Sequence, residues 1–521
     1  MGTRLRATIL CALLGASAAL PLAASAEIPD HVRIDSGQIA GTTGTDPGVR
    51  VFKGIPFAAP PVGQNRWRPP QPVAPWDGVR DASKFGARCT QNSFGIPGGS
   101  TPPTSEDCLY LNVWTTAGSP ADRRPVMVWI YGGGFSSGAG SESRYDGENL
   151  AKKGAVVVTF NYRLGSLGFF ADPDLSKESP HGVSGNYGMM DAIAALEWVQ
   201  RNIATFGGDP SNVTVFGESA GAIMTAALVG SPRTKGLFHR AIAESGAWMG
   251  LGIGKMRTLA QAEQAGAAAA KRLGATTLAA LRAEPADEIY EGLRGAGLGL
   301  VVDGYLIPED LSLTFNAGKQ NPVDVLVGSN ANEGAFFLRG GVSVDQFKTR
   351  ARQQFGAMAD RFLDLYPAAN DKRARASFLA SFSDEAAWQM RTFAKLQAKR
   401  GEKAYAYYFT HVPPTAPGRP SLGATHTSEL PYVFDHLGKE RAWTATDRHL
   451  ADAMSSYWVN FARTGNPNGA GLPHWPPYGA NGSAKPMILG DDIHVQSRSM
   501  PSAKKLAFFD AAYADLLRTL H

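Results

Sequence analysis

The sequence predicts an α/β fold in which a mostly parallel central sheet carries helices on both faces. Two observations lead to this prediction. Short runs rich in β-branched and aromatic residues alternate with longer runs of helical periodicity, as expected for parallel strands joined by crossover helices. A Gly-Glu-Ser-Ala-Gly motif at residues 217–221 lies between one such strand and one such helix. No linker, repeat or low-complexity tract divides the 521-residue chain, so we expect one domain over residues 27–521.

The predicted elements alternate along most of the chain. Strands are expected at Val126–Tyr131, Ala155–Tyr162, Val213–Phe216, Arg240–Glu244, Val323–Val327 and Tyr405–Phe409. Helices are expected at Tyr187–Ile203, Ala220–Val229, Leu259–Leu273 and Ala451–Thr464. The segments Val32–Ala40 and Val51–Phe57 are predicted to form an antiparallel N-terminal extension. The regions 255–320 and 343–400 are predicted to be helical insertions over the sheet edge, and such insertions commonly form the walls and lid of a pocket.

The N-terminus is typical of a secretory signal peptide over residues 1–26. Two arginines are followed by the apolar run Ala7–Leu20 and by the small-residue cleavage site Ala24-Ser25-Ala26. We therefore expect cleavage before Glu27 and a secreted or periplasmic protein without a membrane anchor. Lipidation of Cys11 is not expected because a large residue precedes it. The alternative, an uncleaved anchor, fits less well because the apolar run is short.

Composition excludes several classes of partner and cofactor. The formal net charge of +5 is small for this length and no basic cluster stands out, so nucleic acid is not an expected partner. No later segment is apolar enough to span a bilayer. Cleavage leaves Cys89 and Cys108, and an even count in an exported protein favours a disulfide over two free buried thiols. With no histidine nearby they cannot form a structural zinc site, and we expect neither metal nor organic cofactor.

The motif around Ser219 is typical of a nucleophile elbow. The strand Val213–Phe216 precedes it and the helix-forming run Ala222–Leu228 follows it, which holds the serine exposed at a sharp turn. Flanking glycines permit the turn, and the helix directs its N-terminal amides at the charge that develops during acyl transfer. A second Gly-x-Ser-x-Gly sequence, around Ser136, has no helix after it and is predicted to be a loop. The context indicates a serine hydrolase of the α/β-hydrolase kind with Ser219 as nucleophile.

A serine nucleophile also needs a base and an acid that orients the base. In α/β-hydrolases the order along the chain is Ser, acid, His. Glu333 follows the predicted strand Val323–Val327, and a loop at the carboxyl end of a parallel strand suits the acid. Of the downstream histidines, His426 lies in a loop after the strand that ends at Phe409, and His411 lies almost at the end of that strand. Spacing alone leaves both open as the base.

A run of three glycines is the candidate oxyanion hole. Gly132, Gly133 and Gly134 follow the strand Val126–Tyr131. Consecutive amides without side chains can approach a tetrahedral oxyanion closely, together with the amide of Ala220. The alternative is a glycine-rich phosphate cradle, but no Gly-Lys-Ser/Thr follows, so a P-loop is excluded, and there is no GxGxxG here.

Five longer motifs of the chain are highly specific when taken together. They are Phe52–Ala58, Ser105–Trp114, Trp129–Phe135, Asn161–Gly165 and Phe206–Pro210. These motifs resemble the type-B carboxylesterase family, which includes cholinesterases, mammalian carboxylesterases and bacterial para-nitrobenzyl esterases, and the resemblance covers nearly the whole chain after the signal peptide. The stretch from Ser176 to Gly188 also resembles bacterial fumonisin esterases. The resemblance implies an α/β-hydrolase fold and hydrolysis of carboxylic esters.

The resemblance also implies the roles of individual residues. The stretch from His426 to Phe434 matches the family's histidine segment and selects His426 as the base, beside Ser219 and Glu333. The implied oxyanion amides are those of Gly133, Gly134 and Ala220. A Cys89–Cys108 disulfide and two structural ion pairs, Arg66–Glu106 and Arg163–Asp107, are implied as well.

Three further residues are candidates for the pocket. Glu218 precedes the nucleophile and either steadies the histidinium electrostatically or has a structural role. Phe336 and Phe337 follow Glu333 and are expected to wall the pocket, with plain core aromatics as the alternative. A cholinesterase-like preference for quaternary ammonium is not expected, because residues 90–107 contain no tryptophan and only one phenylalanine, Phe94.

The leading hypothesis is therefore an exported serine hydrolase that cleaves small-molecule carboxylic esters through an acyl-enzyme. One alternative is a hydrolase of amides, carbamates or lactones that uses the same site. A more distant alternative is a non-catalytic adhesion or scaffold protein on the same fold, but such a protein would not need the complete set of candidate residues that this chain has.

Overall fold

One large sheet organises the part of the chain that the computed structural model describes, which is residue 2 and residues 28–91, 102–275, 277–297, 299–338, 340–479, 485–497 and 501–520. Eleven strands of these residues form the sheet. In spatial order they are His494–Val495, Met487–Leu489, Ala404–Phe409, Asp324–Asn330, Arg240–Glu244, Gly208–Glu218, Arg124–Ile130, Val156–Phe160, Tyr110–Thr115, Arg50–Pro56 and Thr42–Thr43. The strands from Met487–Leu489 to Val156–Phe160 run parallel, and the outer ones pair antiparallel.

The predicted mostly parallel sheet is confirmed. All six predicted strands are present, with ends displaced by at most five residues. Every residue of Val156–Phe160 is buried, as expected for a parallel strand covered on both faces. In the N-terminal extension, Arg50–Pro56 pairs antiparallel with Tyr110–Thr115, a strand that the sequence pattern did not reveal.

Three small sheets of the described residues lie outside the large one. His31–Ile34 and Gly37–Ala40 form an antiparallel pair, to which Val79–Asp81 adds a parallel strand. The two remaining pairs are Arg88–Cys89 with Thr104–Ser105 and Arg257–Thr258 with Val301–Val302. The N-terminal extension is therefore divided between two sheets.

Helices fill the connections between strands, and both regions predicted as helical insertions contain several. The α-helices of the described residues are Glu148–Lys152, Gly165–Phe169, Pro173–Glu178, Tyr187–Asn202, Ala220–Gly230, Leu259–Leu273, Leu278–Ala283, Ala286–Gly292, Leu311–Asn316, Gly334–Phe337, Val344–Phe355, Ala359–Leu365, Asp371–Arg400, Leu430–Val433, Ala445–Thr464 and Ala503–Leu520. The long helix Asp371–Arg400 packs on the strands Asp324–Asn330 and Ala404–Phe409. Within the described ranges, none of these helices is long and apolar enough to cross a membrane.

Two covalent or ionic links match the sequence prediction. Cys89 and Cys108 form a disulfide. Arg66 donates two hydrogen bonds of 2.7 Å to the two carboxylate oxygens of Glu106. The segment around Phe94 that the disulfide encloses lies outside the described residues, as does the predicted signal peptide apart from Gly2.

The predicted pair Arg163–Asp107 is wrong. Arg163 instead donates through Nε and Nη2 to the two carboxylate oxygens of Asp191, at 2.8 and 2.7 Å. The backbone amide of Arg163 donates to the same carboxylate at 2.9 Å. Asp191 lies fully buried on the helix Tyr187–Asn202, where its charge needs these partners. Asp107 accepts a hydrogen bond from the hydroxyl of Tyr110.

Candidate active site

Ser219 occupies a strained turn between the strand Gly208–Glu218 and the helix Ala220–Gly230. Its φ of 57° and ψ of −122° lie outside the regions that non-glycine residues favour. The turn is too tight for side chains on either side: a Cβ on Gly221 would lie 1.9 Å from the carbonyl oxygen of Ile130. The backbone amide of Ser219 donates to the carbonyl of Glu244 at 2.9 Å, which ties the turn to the neighbouring strand. This is the predicted elbow geometry.

His426 and Glu333 are in direct contact, although 93 residues separate them in the chain. His426 Nδ1 lies 2.6 Å from Glu333 Oε2. The other oxygen of Glu333 accepts hydrogen bonds from the hydroxyl of Ser245 at 2.5 Å and from the amide of Asn330 at 2.7 Å. Both carboxylate oxygens are thus occupied and the side chain is fully buried. This arrangement fixes the imidazole ring and places its other nitrogen, Nε2, away from the acid.

Glu218 is the polar neighbour of that second nitrogen. Its Oε1 lies 3.1 Å from His426 Nε2, while no hydrogen bond among the described residues joins Nε2 to the hydroxyl of Ser219. Burial lowers the pKa of His426, but the charges of Glu218 and Glu333 raise it to about 9. Burial raises the pKa of Glu218 to about 7, against the attraction of His426. The charge of Glu218 therefore favours the protonated form of His426.

Two more carboxyl groups, those of Glu429 and Glu244, are fully buried near Glu218 and His426. Asn330 Nδ2 donates to Glu429 and also to the carbonyl of Thr425, at 2.9 Å for the latter. Glu244 Oε1 accepts a hydrogen bond of 2.9 Å from Trp458 Nε1. Burial raises the pKa of Glu429 to about 8 and raises that of Glu244 well above its ordinary value. Asn330 therefore links two parts of the site. Its backbone amide binds Glu333, and its side chain binds the segment that carries His426.

The glycine loop Gly132–Gly134 packs directly on the elbow. A Cβ on Gly132 would lie 2.7 Å from the carbonyl oxygen of Glu218 and 2.9 Å from Ser219 Cβ, so no larger residue fits. Gly133 has a φ of 98°, and a Cβ there would lie 2.1 Å from the carbonyl of Ser137. The amides of Gly133 and Gly134 donate to no partner within the described ranges. They and the amide of Ala220, the first residue of the following helix, are the candidate oxyanion donors.

Phe336 and Phe337 lie beside the histidine. Their ring centroids are 5.4 and 4.8 Å from that of His426. Both side chains belong to the short helix Gly334–Phe337 and remain 47% and 43% exposed, which excludes the alternative that they are plain core aromatics. Phe382 of the long helix Asp371–Arg400 packs on Phe337 at 5.1 Å. The helical insertion therefore contributes to one wall beside the candidate base.

The two competing residues from the sequence lie elsewhere. His411 is held between Asp491 at Nδ1 and Asp447 at Nε2, at 2.5 and 2.8 Å. Ser136 lies in an exposed loop, where its amide and hydroxyl both donate to the carbonyl of Gly133. Ser136 lacks the following helix of an elbow, and both ring nitrogens of His411 are occupied by carboxylates.

Ser245, Asn330 and Glu429 support this site, and the sequence analysis did not identify them. Ser245 directly follows the carboxyl end of the strand Arg240–Glu244. Functional residues often lie at such ends, so this position could have identified Ser245 from the sequence. The contacts of Asn330 and Glu429 depend on chain segments about a hundred residues apart. Within the described ranges, no group of histidine, cysteine, aspartate and glutamate side chains could hold a metal ion.

Comparisons with known proteins show what the chain is similar to. The model of the carboxylesterase family matches residues 29–509. The chain is 41% identical to fumonisin B1 esterase of Sphingopyxis macrogoltabida, over 92% of this chain and 90% of the relative. It is 36% identical to para-nitrobenzyl esterase of Bacillus subtilis (strain 168), over 88% of this chain and 95% of the relative. The solved structure of a thermophilic PNB esterase superposes with a TM-score of 0.80 at 35% identity, covering 91% of this chain and 99% of that one.

Proposed function

The chain belongs to the carboxylesterase family, has the α/β-hydrolase fold and is a carboxylic ester hydrolase, and we propose that it works through an acyl-enzyme on Ser219. The observation that carries this proposal is the convergence of four distant segments. The strained elbow presents Ser219, the buried Glu333 orients His426 at 2.6 Å, and the glycine loop packs on the elbow.

In the first step, His426 Nε2 takes the proton of the Ser219 hydroxyl as the oxygen attacks the ester carbonyl. The imidazolium that forms is stabilised by Glu333 at Nδ1 and by Glu218 at Nε2. The carbonyl oxygen becomes an oxyanion and accepts hydrogen bonds from the amides of the glycine loop and of Ala220. Donors that are already fixed in place need no reorganisation when the charge develops, which is why such sites lower the barrier.

Collapse of the tetrahedral intermediate expels the alcohol, which receives the proton from His426. A water molecule then attacks the acyl-enzyme, His426 accepts a proton from it, and the acid is released as Ser219 recovers its hydrogen. All proton transfers pass through one nitrogen, Nε2. Hydrogen bonds from Ser245 and Asn330 hold the second oxygen of the buried Glu333 in place. Glu333 therefore keeps the imidazole of His426 in one tautomer.

We propose small-molecule esters as substrates. Para-nitrobenzyl esters and fumonisin-type esters are the candidates, because the chain is similar to a para-nitrobenzyl esterase and a fumonisin B1 esterase. We also propose export, followed by removal of residues 1–26. The sequence of these residues and the Cys89–Cys108 disulfide support it, since disulfides persist in oxidising compartments.

The proposal is tested with p-nitrophenyl esters from acetate to palmitate. Ser219→Ala is expected to lose at least about 10⁴-fold in kcat, because the acyl-enzyme can no longer form. Ser136→Ala is the matched control, a serine in the second Gly-x-Ser-x-Gly sequence, and should keep wild-type rates. Turnover by a folded Ser219→Ala variant at the wild-type rate would refute the proposal.

A further inference from the structure

One face of the long helix Asp371–Arg400 connects the candidate active site to a glycine-rich segment, residues 250–254. Phe382, Glu385 and Gln389 follow the spacing i, i+3, i+7, which places them on the same side of the helix. Glu385 and Gln389 are buried, at 4% and 1% exposure. Because buried polar groups need hydrogen-bond partners, the contacts of these two side chains decide what this face holds.

Phe382 joins this helix face to the candidate acid and base. Its ring centroid lies 5.1 Å from that of Phe337, and the Phe337 centroid lies 4.8 Å from that of His426. Gly334 directly follows the acid Glu333, and a Cβ on this glycine would lie 3.2 Å from Phe382 Cβ. The helix face therefore packs directly on the short helix that follows the acid and lies beside the base.

Glu385 binds segment 250–254 through the backbone of that segment. Its Oε1 accepts a hydrogen bond of 2.6 Å from the amide of Ile253. The same oxygen accepts one of 2.8 Å from Nε2 of Gln354, on the neighbouring helix Val344–Phe355. A cavity borders both Glu385 and Gln354 at this junction. Since close packing does not fill the junction, these hydrogen bonds carry more of the contact.

Gln389 binds the same segment at two more backbone groups. Its side-chain amide, in the orientation that satisfies both neighbours, donates to the carbonyl of Gly250 at 2.9 Å and accepts a hydrogen bond of 2.8 Å from the amide of Gly252. The segment reads Gly-Leu-Gly-Ile-Gly, and its glycines restrict the backbone little. Its conformation therefore depends more on Glu385 and Gln389 than on its own sequence.

The chain that leads to segment 250–254 begins on the nucleophile. Gly246 packs on the elbow, because a Cβ there would lie 2.5 Å from the carbonyl oxygen of Ser219. Trp248 is buried and its ring stacks on that of Phe315, with 4.0 Å between the centroids. Segment 250–254 closely follows this anchor. It therefore bridges the elbow and the helix face that supports the wall beside the candidate base.

We propose that segment 250–254 is a wall of the substrate cleft, and that Glu385 and Gln389 are positioning residues that hold this wall against an apolar chain of the ester. This inference rests on the proposed function, because it assigns the part of that same site that selects esters by chain length. Each methylene that a fixed wall covers contributes about fourfold to kcat/KM. An apolar chain on the acyl part and one on the alcohol part offer the same contact, and the experiment separates them.

The first arm of the test varies the acyl part and compares p-nitrophenyl hexanoate with p-nitrophenyl acetate. The second arm varies the alcohol part and compares hexyl acetate with methyl acetate, followed in a pH-stat. The readout is the ratio of kcat/KM for the long ester to kcat/KM for the short ester. Because both rates come from the same preparation, a smaller fraction of folded enzyme cancels in this ratio.

Glu385→Ala is expected to lower the long-to-short ratio about 10- to 20-fold in one arm, the effect of about two methylenes that lose contact with the wall. Gln389→Ala removes the other contacts of the segment and should lower the ratio in the same arm. Glu385→Gln keeps Oε1 as the acceptor for the amide of Ile253, and its ratio should stay within about twofold of wild type. Circular dichroism shows which variants fold, and Gln389→Ala tests the same segment if Glu385→Ala does not.

Glu148→Ala is the matched control. Glu148 is 7% exposed and likewise binds backbone amides, those of Thr45 and Asp46, at 2.8 and 2.6 Å. These two residues follow the strand Thr42–Thr43, at an edge of the large sheet. The variant also loses a buried acceptor of backbone hydrogen bonds, and it should keep both ratios at wild-type values.

The outcomes separate the two proposals. Ser219-dependent hydrolysis, with ratios that Glu385→Ala and Gln389→Ala leave unchanged in both arms, overturns the wall and leaves the proposed function intact. Failure of the folded wild type to hydrolyse any of the esters overturns both. A fall in the first arm alone assigns the wall to the acyl part, and a fall in the second arm alone assigns it to the alcohol part.

Two further results would overturn the role of the positioning residues. An equal fall in both arms, or a fall in Glu148→Ala, would report a general loosening of the fold and not a wall. A ratio for Glu385→Gln as low as that for Glu385→Ala would show that the hydrogen-bond acceptor at this position does not hold the segment.

Discussion

Two buried histidines of this protein have nearly the same immediate neighbours and very different surroundings. His426 has Glu333 at Nδ1 and Glu218 at Nε2, and His411 has Asp491 at Nδ1 and Asp447 at Nε2. Burial alone would raise the pKa of Asp447, but hydrogen bonds from Thr444, Tyr432 and His411 lower it to about 2. The pKa of Glu218 is raised to about 7, mainly by burial.

The difference lies in how the acid at Nε2 is held. Asp447 receives donors from the cap of the helix Ala445–Thr464 and from Tyr432 Oη at 2.7 Å, so it remains an anion that ties His411 in place. Glu218 Oε1 is buried and accepts no hydrogen bond of good geometry from any described residue. An acid without competing donors can stabilise an imidazolium that forms transiently. Two carboxylates beside a histidine therefore do not identify a base, and the partners of those carboxylates must be compared.

Replacing each histidine by alanine gives the largest contrast. His426→Ala is expected to reduce kcat about 10⁴- to 10⁶-fold, as for other triad members. His411→Ala should keep wild-type kcat per folded molecule and instead lose about 1–3 kcal/mol of unfolding free energy, because it leaves the buried Asp447 without one partner. Ester kinetics and urea unfolding of both variants check the contrast. Loss of activity in His411→Ala without loss of stability would break it.

Replacing one acid beside each histidine is expected to give the next largest contrast in kcat. The acids are Glu333 at Nδ1 of His426 and Asp447 at Nε2 of His411. Glu333→Gln is expected to lower kcat about 10³- to 10⁴-fold, since an amide cannot hold the imidazolium or its tautomer in the same way. Asp447→Asn, which removes the charge of the buried acid at Nε2 of His411, should leave kcat within about threefold of wild type. Circular dichroism shows whether both variants fold. Equal losses in the two variants would mean that His411 contributes to catalysis.

Glu218→Gln gives a smaller effect and a shift in pH dependence. The charge of Glu218 raises the pKa of His426, so its removal should lower that pKa and move the acid limb of the kcat/KM profile to lower pH. We expect kcat to fall about 10-fold, because the imidazolium loses one stabilising charge, while KM changes little. The pH profiles of wild type and variant measure both. An acid limb that stays in place, or moves to higher pH, would show that Glu218 has only a structural role.

The elbow could be predicted from sequence because it is local. Strand, turn and helix around Ser219 occupy consecutive residues, and the glycines report the tight turn directly. The parallel sheet could be predicted for the same reason, from runs such as Val156–Phe160 that are apolar throughout.

The remaining parts depend on contacts between distant residues. Spacing alone could not show whether His426 or His411 is the base, because Glu333 lies 93 residues from His426 in the chain. The resemblance to a family selected His426. The predicted pair Arg163–Asp107 failed because Asp191 lies nearer, on a helix whose packing the sequence does not reveal. Ser245 and Asn330 act on Glu333 through the alignment of neighbouring strands. The partner of Arg163 and the contacts of Ser245 and Asn330 therefore required the three-dimensional structure.

The most direct test of the central claim is the rate at which diethyl p-nitrophenyl phosphate modifies Ser219, followed by intact mass and peptide mapping. This reagent needs only an activated serine and leaves a stable diethylphosphoryl group. Wild type and His411→Ala are expected to gain one such group, at the same rate, on the peptide that contains Ser219. His426→Ala is expected to gain none over the same time. Modification of His426→Ala at the wild-type rate, or of Ser136 in place of Ser219, would contradict the account.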